Sequence, residues 1–508
     1  MDLDTWHGRK PAPPKSKKNN TVAKGDAWAH QAIALEASQK VSELALLWEM
    51  GTGKTRAVID ILRYRFAAHD RLLKTIIFSP KITLVNWQRE WAKYSKVHPR
   101  DVIILEGSEA KRIKVFLDNV VEDHQPKKPK IIIMNYESAQ MKKLMALITD
   151  WCPEVVVGDE IHRIKNPESK RGKVVIKLAD KAMYRYALTG SLITNSGMDL
   201  WNVYRFLDGG KTFGENFWAF RSQWFEDANA RWQGEDNYYP NWVPRPETYH
   251  ELQRMLYRKA IRALKKDCLD LPPLVRKEIH VSLSEEQNRL YQEMKKEYIA
   301  YIDDITKSDN PRAVVAQMAV TKSLRLMQII TGYAKDEDGN IHKIKDNPRL
   351  DALEELLTDL KGQKVIIWSV FHENYADIAA LCKKLGLRYV ELHGKITGKT
   401  KGKDNKQIAI DEFNNNPEID IMIANQAAGG IGVNLVVAPY MIYYSKGYSL
   451  EQDEQSEARN HRGGSEIHEK VTRIDLVATG TLDDVVTQKL YDKKEIASMI
   501  LDIKGEQI

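Results

Sequence analysis

The sequence predicts an α/β protein with two parallel-sheet lobes in tandem and helical insertions between them. Three observations lead there. Short, fully apolar runs end in polar residues and are separated by amphipathic stretches, once before about residue 190 and again after about residue 365. Between the two lies a stretch crowded with aromatics, followed by a strongly helical one. Apolar strands joined by helices mean a parallel sheet covered on both faces, and such sheets bind ligands at the carboxyl ends of their strands.

Residues 1–25 are polar and carry Arg9, Lys10, Lys15, Lys17, Lys18 and Lys24 among three prolines, which predicts a disordered basic arm. A helix pattern over 28–37 follows, with His30 and Gln31. The stretch Leu47 to Asp60, LWEMGTGKTRAVID, then reads as strand, glycine loop and helix. Met50, Gly51, Thr52, Gly53, Lys54 and Thr55 would cradle phosphates, because glycines let backbone N–H groups close round oxyanions at a helix N-terminus. Lys54 would reach the β- and γ-phosphates of a nucleotide and the Thr55 hydroxyl would ligate Mg²⁺. Trp48 stands where the strict phosphate-loop pattern has glycine.

Thr75–Phe78 and Ile131–Met134 read as strands, ending at Ser79-Pro80-Lys81 and Asn135-Tyr136-Glu137. Val155 to Val157 is another, and Asp159, Glu160, Ile161 and His162 follow it. Asp159 would hold the metal and Glu160 would polarise the attacking water, since phosphoryl transfer needs metal charge and an in-line nucleophile. A glycine turn or an acidic loop alone is common. Both motifs, in this order and at this separation, point to a nucleoside triphosphatase. Tyr186 to Gly190 is a further strand.

Residues 209–262 hold Phe213, Phe217, Trp218, Phe220, Trp224, Phe225 and Trp242, which predicts helices packed on the first lobe and an irregular loop over 229–246. Residues 284–333 read as a helical insertion and 334–348 as an exposed loop. The second lobe, 274–508, has strands at Val365–Trp368, Tyr389–Leu392, 419–424, 440–444 and 472–477. The first lobe spans 26–273.

At 508 residues the chain is too long for one core. Its composition, 43% hydrophobic and 29% charged, is that of a globular protein. A net charge of +7 suggests a polyanionic partner. Cys152, Cys268 and Cys382 are far apart with no CxxC pair, which predicts a reducing compartment without disulfides or zinc. No apolar run nears the roughly 20 residues that span a bilayer. An intracellular, cytoplasmic protein is expected.

The order of these motifs resembles the Swi/Snf-type DNA translocases, a branch of the superfamily-two helicases, from about residue 26 to 490. Gln31 falls where that family reads adenine. LWEMGTGKT is similar to motif I, SPKITLVNWQREW (79–91) to motif Ia and IIIMNYESAQ (131–140) to motif Ib. VVVGDEIHRIKNPESK (155–170) resembles the family's DEAH box with its trailing Arg-Ile-Lys-Asn, and ALTGSLITN (187–195) resembles motif III. RKAIRALKKDCLDLPP (258–273) is similar to the linker into the second lobe. VIIWSVF (365–371) and NQAAGGIGVNL (425–435) resemble motifs IV and V, and Gln455, Arg459 and Arg462 match motif VI. Four departures stand out: Ile161 for alanine, Ser191-Leu192 for Thr-Pro, Tyr448 for tryptophan and Ser465 for glutamine.

The resemblance implies two RecA-like lobes, catalytic roles for Lys54, Asp159, Glu160, His162, Gln455, Arg459 and Arg462, and nucleotide contacts from Gly432 and Asn434. The two arginines, one turn apart on one helix face, would act as fingers on the transferring phosphoryl group. It also implies DNA contacts from Lys81, Asn135, Lys165, Asn166, Ser369 and Gln426. The expected activity is that of a monomeric, ATP-driven motor on double-stranded DNA that remodels DNA or displaces bound proteins. A strand-separating DNA or RNA helicase of the DEAH type shares both lobes and is the alternative; intact Lys54, Glu160, Arg459 and Arg462 argue against a binding scaffold that has lost turnover. A chain of this size, by the same resemblance, is expected in a bacterium or a phage-infected cell.

Overall fold

The computed structural model describes residues 27–120, 129–190, 192–193, 196–232, 240–305, 321, 323–336, 340–396, 398–400, 403–427 and 434–501. The basic arm, residues 233–239 of the 229–246 loop and Gly432 therefore lie outside the described residues. The chain forms two compact units, one built from residues up to 230 with 240–270 and 495–508, the other from 231–239 and 271–494.

The first unit is organised by a seven-stranded sheet. Its strands are β1 (Glu43–Trp48), β2 (Thr75–Phe78), β3 (Val102–Leu105), β4 (Ile131–Met134), β5 (Val155–Asp159), β6 (Tyr184–Thr189) and β7 (Ala260–Ala263). All pairings are parallel, in the order β3-β4-β2-β5-β6-β1-β7. Each residue of β2, β4 and β5 is buried, so these central strands are covered on both faces and show no polar alternation. Helices α1 (Ala29–Lys40), α2 (Lys54–Ala68) and α3 (Leu84–Tyr94) belong to this unit. Ile59, Ile61 and Leu62 of α2 and Trp87 and Trp91 of α3 are fully buried with Ile77, Ile131 and Val157 of the sheet.

Two features depart from expectation. Val102–Leu105 is a strand that the sequence analysis does not mark. Ala260–Ala263, expected within a helical stretch and a linker, is edge strand β7, registered on β1 from Ala45↔Ala260 to Trp48↔Ala263. Its Arg262 is tolerated because only one neighbour covers an edge. The aromatic stretch forms a packed cluster: Phe213 lies 4.7 Å from Tyr204, 5.3 Å from Phe220 and 6.2 Å from Trp224.

The second unit carries a six-stranded parallel sheet. Its strands are β8 (Leu274–Val281), β9 (Val365–Trp368), β10 (Tyr389–Leu392), β11 (Ile421–Ala424), β12 (Tyr440–Tyr443) and β13 (Val471–Ala478). Their order is β8-β13-β12-β9-β11-β10. The segment expected as a loop over 334–348 contains a short antiparallel pair, Tyr333–Lys335 with Ile341–Lys343. Among the described residues no helix is long and apolar enough to cross a membrane.

Candidate functional site

Strand order decides which polar groups meet at the carboxyl edge of the first sheet. From β4 to β1 that edge presents Asn135, Ser79, Asp159, Thr189 and the glycine loop. The loop turns at Gly51 (φ 86°) and Gly53 (φ 79°), in the left-handed region that a side chain rarely enters, and α2 starts directly after Gly53. Trp48, at the position where the strict motif has glycine, is fully buried as the last residue of β1, and His30 packs on it edge-on at 4.7 Å.

Helix α1 holds the loop from outside. His30 Nε2–H donates to the carbonyl of Thr52 at 2.7 Å, and Gln31 Nε2 donates to that of Gly53 at 3.2 Å. A side chain at Gly53 would strike the Gln31 amide. Burial lowers the His30 pKa, which favours the neutral ring. The Thr52 hydroxyl donates to the Glu49 carbonyl at 2.7 Å, and Lys54 Nζ donates to the Trp48 carbonyl at 2.9 Å. A Cβ at Gly190 would lie 3.4 Å from Lys54 Nζ, so the end of β6 closes over the lysine. A phosphate binding there would exchange the lysine's carbonyl bonds for charged ones.

Asp159 is almost fully buried at the end of β5. Its Oδ2 accepts from the Ser79 hydroxyl and from the Trp87 indole, each at 2.8 Å, and its carbonyl accepts from Tyr136 at 2.8 Å. Burial raises its pKa, helped by the Glu160 charge, while the Trp87 and Ser79 bonds and Lys54 oppose the rise. Glu160 sits at φ 50°, a conformation costly for a residue with a side chain and one that collects at working sites. Its Oε2 is 3.5 Å from His162 Nδ1. Buried His162 also hydrogen-bonds through Nδ1 to the Thr189 hydroxyl, 3.0 Å away, which ties β5 to β6. Ile161 is buried against Gly158, where a Cβ would collide with its side chain.

Mg²⁺ takes oxygen ligands in a site that proteins complete with only one or two groups, the rest being phosphate and water. Thr55 offers one hydroxyl. Asp159 offers Oδ1, which accepts no hydrogen bond from the described residues. That donor set fits the ion.

The other expected residues are dispersed. Lys81 is exposed, 3.8 Å from Glu106. Asn135 is buried, accepting from Arg112 at 2.7 Å and donating to Glu137 at 2.6 Å. Lys165 pairs with Asp199 at 3.4 Å, and Asn166 is exposed, its side chain accepting from the Glu168 backbone. In the second unit Ser369 is fully buried, bonded to Asn374 at 3.1 Å and lying 3.0 Å from Ser445. Its hydroxyl faces no solvent in this conformation. Gln426 is buried and accepts from Gly447, whereas Asn434 is exposed. Gln455 donates to Glu451 at 2.9 Å.

One expectation about geometry is corrected. Arg459 and Arg462 do not share a helix face: the helix ends at Glu457, and Arg459 N–H bonds back only three residues, to Ser456. The chain then turns towards Gly464 (φ 104°). Arg459 is buried and Arg462 is partly exposed. Sequence reasoning also passed over His30, Ser79, Trp87, Tyr136 and Thr189 as site residues. Four of them sit within quoted motifs, but their roles depend on which strands are neighbours.

Residues 32–332, more than half of the chain, match the SNF2-related domain, and residues 348–464 match the helicase conserved C-terminal domain. An uncharacterized ATP-dependent helicase of Mycoplasma genitalium is 25% identical over 456 residues, covering 89% of this chain and 40% of that protein. The human SWI/SNF-related matrix-associated actin-dependent regulator of chromatin subfamily A member 1 is 25% identical over 465 residues, covering 89% and 41%. The chain thus spans about two fifths of the length of these relatives. A solved SWI2/SNF2 ATPase core of Sulfolobus solfataricus in complex with double-stranded DNA is 20% identical, with a TM-score of 0.41, covering 95% of this chain and 98% of that one.

Proposed function

The chain belongs to the family of the SNF2-related domain, and on that premise we propose that it is an ATP-hydrolysing motor that moves along double-stranded DNA, remodelling DNA structures or displacing bound proteins. The observation that carries this reading is the carboxyl edge of the first sheet. There a glycine loop after β1, a buried aspartate with an adjacent strained glutamate on β5, and the segment that follows β2 stand along one edge, with β6 between β1 and β5.

Lys54 and the loop N–H groups bind the phosphates, and Gln31 is the residue that reads adenine. Thr55 and Asp159 are the residues that would hold Mg²⁺, which when bound neutralises charge on the phosphates. Glu160 accepts a proton from the attacking water, and His162 holds Glu160 in place. Arg459 and Arg462 stabilise charge on the transferring phosphoryl group. Lys81, Asn135, Lys165, Asn166, Ser369 and Gln426 mark the segments that follow the track, Asn135, Ser369 and Gln426 as buried residues that hold the shape of those segments. We read the motor as monomeric and intracellular.

The test is steady-state ATP turnover with no nucleic acid, single-stranded DNA, duplex DNA and duplex RNA. Duplex DNA should stimulate most. Greater stimulation by RNA would favour the strand-separating DEAH-type reading.

A further inference from the structure

Asp159 and Lys81 are linked by one short piece of chain. Ser79 follows β2 directly, is fully buried, and gives its hydroxyl to Asp159 Oδ2. A 3₁₀ turn, Lys81–Thr83, carries the exposed lysine. Helix α3 begins at Leu84 and brings Trp87, also fully buried, back to the same Oδ2. Two donors eight residues apart therefore converge on one carboxylate oxygen, with the exposed lysine between them. The Ser79 and Thr83 hydroxyl oxygens, 2.6 Å apart, close the turn.

A carboxylate rotates freely unless its oxygens are distinguished. With Oδ2 engaged twice, only Oδ1 is left for a cation. Loss of an outer partner that orients a metal ligand in this way typically costs about 10- to 100-fold in metal affinity. Trp87 cannot follow any other acceptor without dragging α3, because it is fully buried in the core that also holds Ile77, Leu84 and Trp91.

We propose that Ser79 and Trp87 are positioning residues that orient the Asp159 carboxylate for the nucleotide's metal, and that the turn between them is where contact with DNA regulates turnover. This rests on the reading of Asp159 as a metal ligand. Phosphate contact at Lys81 fixes the turn, the turn fixes both donors, and the donors fix Oδ1.

The experiment compares the full chain with Trp87→Phe and Ser79→Ala. Phe keeps an aromatic ring and loses the donor; Ala removes one oxygen and leaves the core filled. Binding of a fluorescent ATP analogue is titrated with Mg²⁺ and repeated in EDTA, and duplex-DNA binding and stimulation are measured alongside. In Trp87→Phe the Mg²⁺ concentration for half-maximal effect should rise roughly tenfold. Binding in EDTA and affinity for DNA should stay within about twofold, while stimulation by DNA drops. Ser79→Ala should move the same quantities in the same direction. An unchanged Mg²⁺ dependence in both variants, or equal weakening with and without metal, overturns the proposal and leaves the ATPase reading standing. A parent chain that binds no nucleotide in either condition overturns both.

Discussion

The Nδ1 of His162 and the hydroxyl oxygen of Thr189 lie 3.0 Å apart, joining the ends of adjacent strands β5 and β6. The same Nδ1 is 3.5 Å from Glu160, so the residue proposed to polarise water is braced from the neighbouring strand. Thr189→Val preserves shape and removes the hydroxyl. Turnover should fall roughly tenfold, the worth of about 1.4 kcal/mol, with nucleotide affinity within about twofold and Thr189→Ser near the parent. Valine at parental rates would deny the brace any part in catalysis.

In the proposed mechanism Lys54 and Glu160 divide binding from chemistry. Lys54→Ala should abolish hydrolysis and weaken nucleotide binding, because the positive charge on the phosphates goes. Glu160→Gln should abolish hydrolysis and leave binding intact, since an amide keeps the shape but accepts no proton. Single-turnover rates and equilibrium binding measured on both variants separate the roles. Turnover in Glu160→Gln within about threefold of the parent would remove that carboxylate from the mechanism.

A buried ion pair organises the second unit. Arg349, 1% exposed, donates to Asp483 and to the carbonyls of Tyr444 and Leu476, the last at 3.0 Å. Removing one member strands the other charge away from water, which costs about 3–5 kcal/mol. Asp483→Ala should therefore lower the denaturant midpoint of the second unit's transition markedly, and Arg349→Met with Asp483→Leu should recover part of the loss. A shift below about 1 kcal/mol for Asp483→Ala would mean that the arginine finds another partner.

Acid should loosen the same unit. Burial pushes the Glu457 carboxyl up, but the Arg473 and Arg276 guanidinium groups outweigh it and hold the pKa at about 2. The folded value lies below the ordinary 4.5, so Glu457 contributes stability that is fully present above pH 4.5 and fades as pH falls towards 2. The contribution is at most about 3 kcal/mol, reduced because Arg276 is half exposed and screened by solvent. Glu457→Gln should flatten the pH dependence of the melting temperature in this window. A slope equal to the parent's would assign the acid sensitivity to other carboxylates.

Much of this architecture was legible because central strands such as Ile131–Met134 and Val365–Trp368 are apolar on both faces and end at polar residues. Edge strand β7 was not, since Ala-Ile-Arg-Ala carries a charge that only an edge position tolerates. The glycine loop and Asp159-Glu160 could be read from spacing. The bonds from Ser79 and Trp87 to Asp159 could not, because they depend on β2 lying beside β5, and strand order leaves no local mark on the sequence. The placement of Arg459 and Arg462 off the helix was missed because a one-turn spacing looks the same whether or not the helix continues.

The last prediction concerns the track. The segments proposed to follow it bear lysine, asparagine, serine and glutamine after strand ends, with no long basic helix of the kind that enters a major groove among their described residues. Groups of this kind reach phosphates, and phosphate contacts position a protein without reading bases. Stimulation of ATP turnover by duplex DNA should then be the same for unrelated sequences of equal length. It should fall steeply with salt, because each neutralised phosphate releases condensed counterions. Lys81 is exposed and only loosely paired with Glu106, so Lys81→Ala should weaken binding equally for all sequences and reduce the slope of log affinity against log salt by about 1. Movement along an intact duplex further requires displacement of a third strand from a triplex when ATP is hydrolysed, with little separation of the duplex itself. Efficient unwinding of a forked duplex without triplex displacement would mean that the motor follows one strand, and the proposal of a double-stranded track would fall.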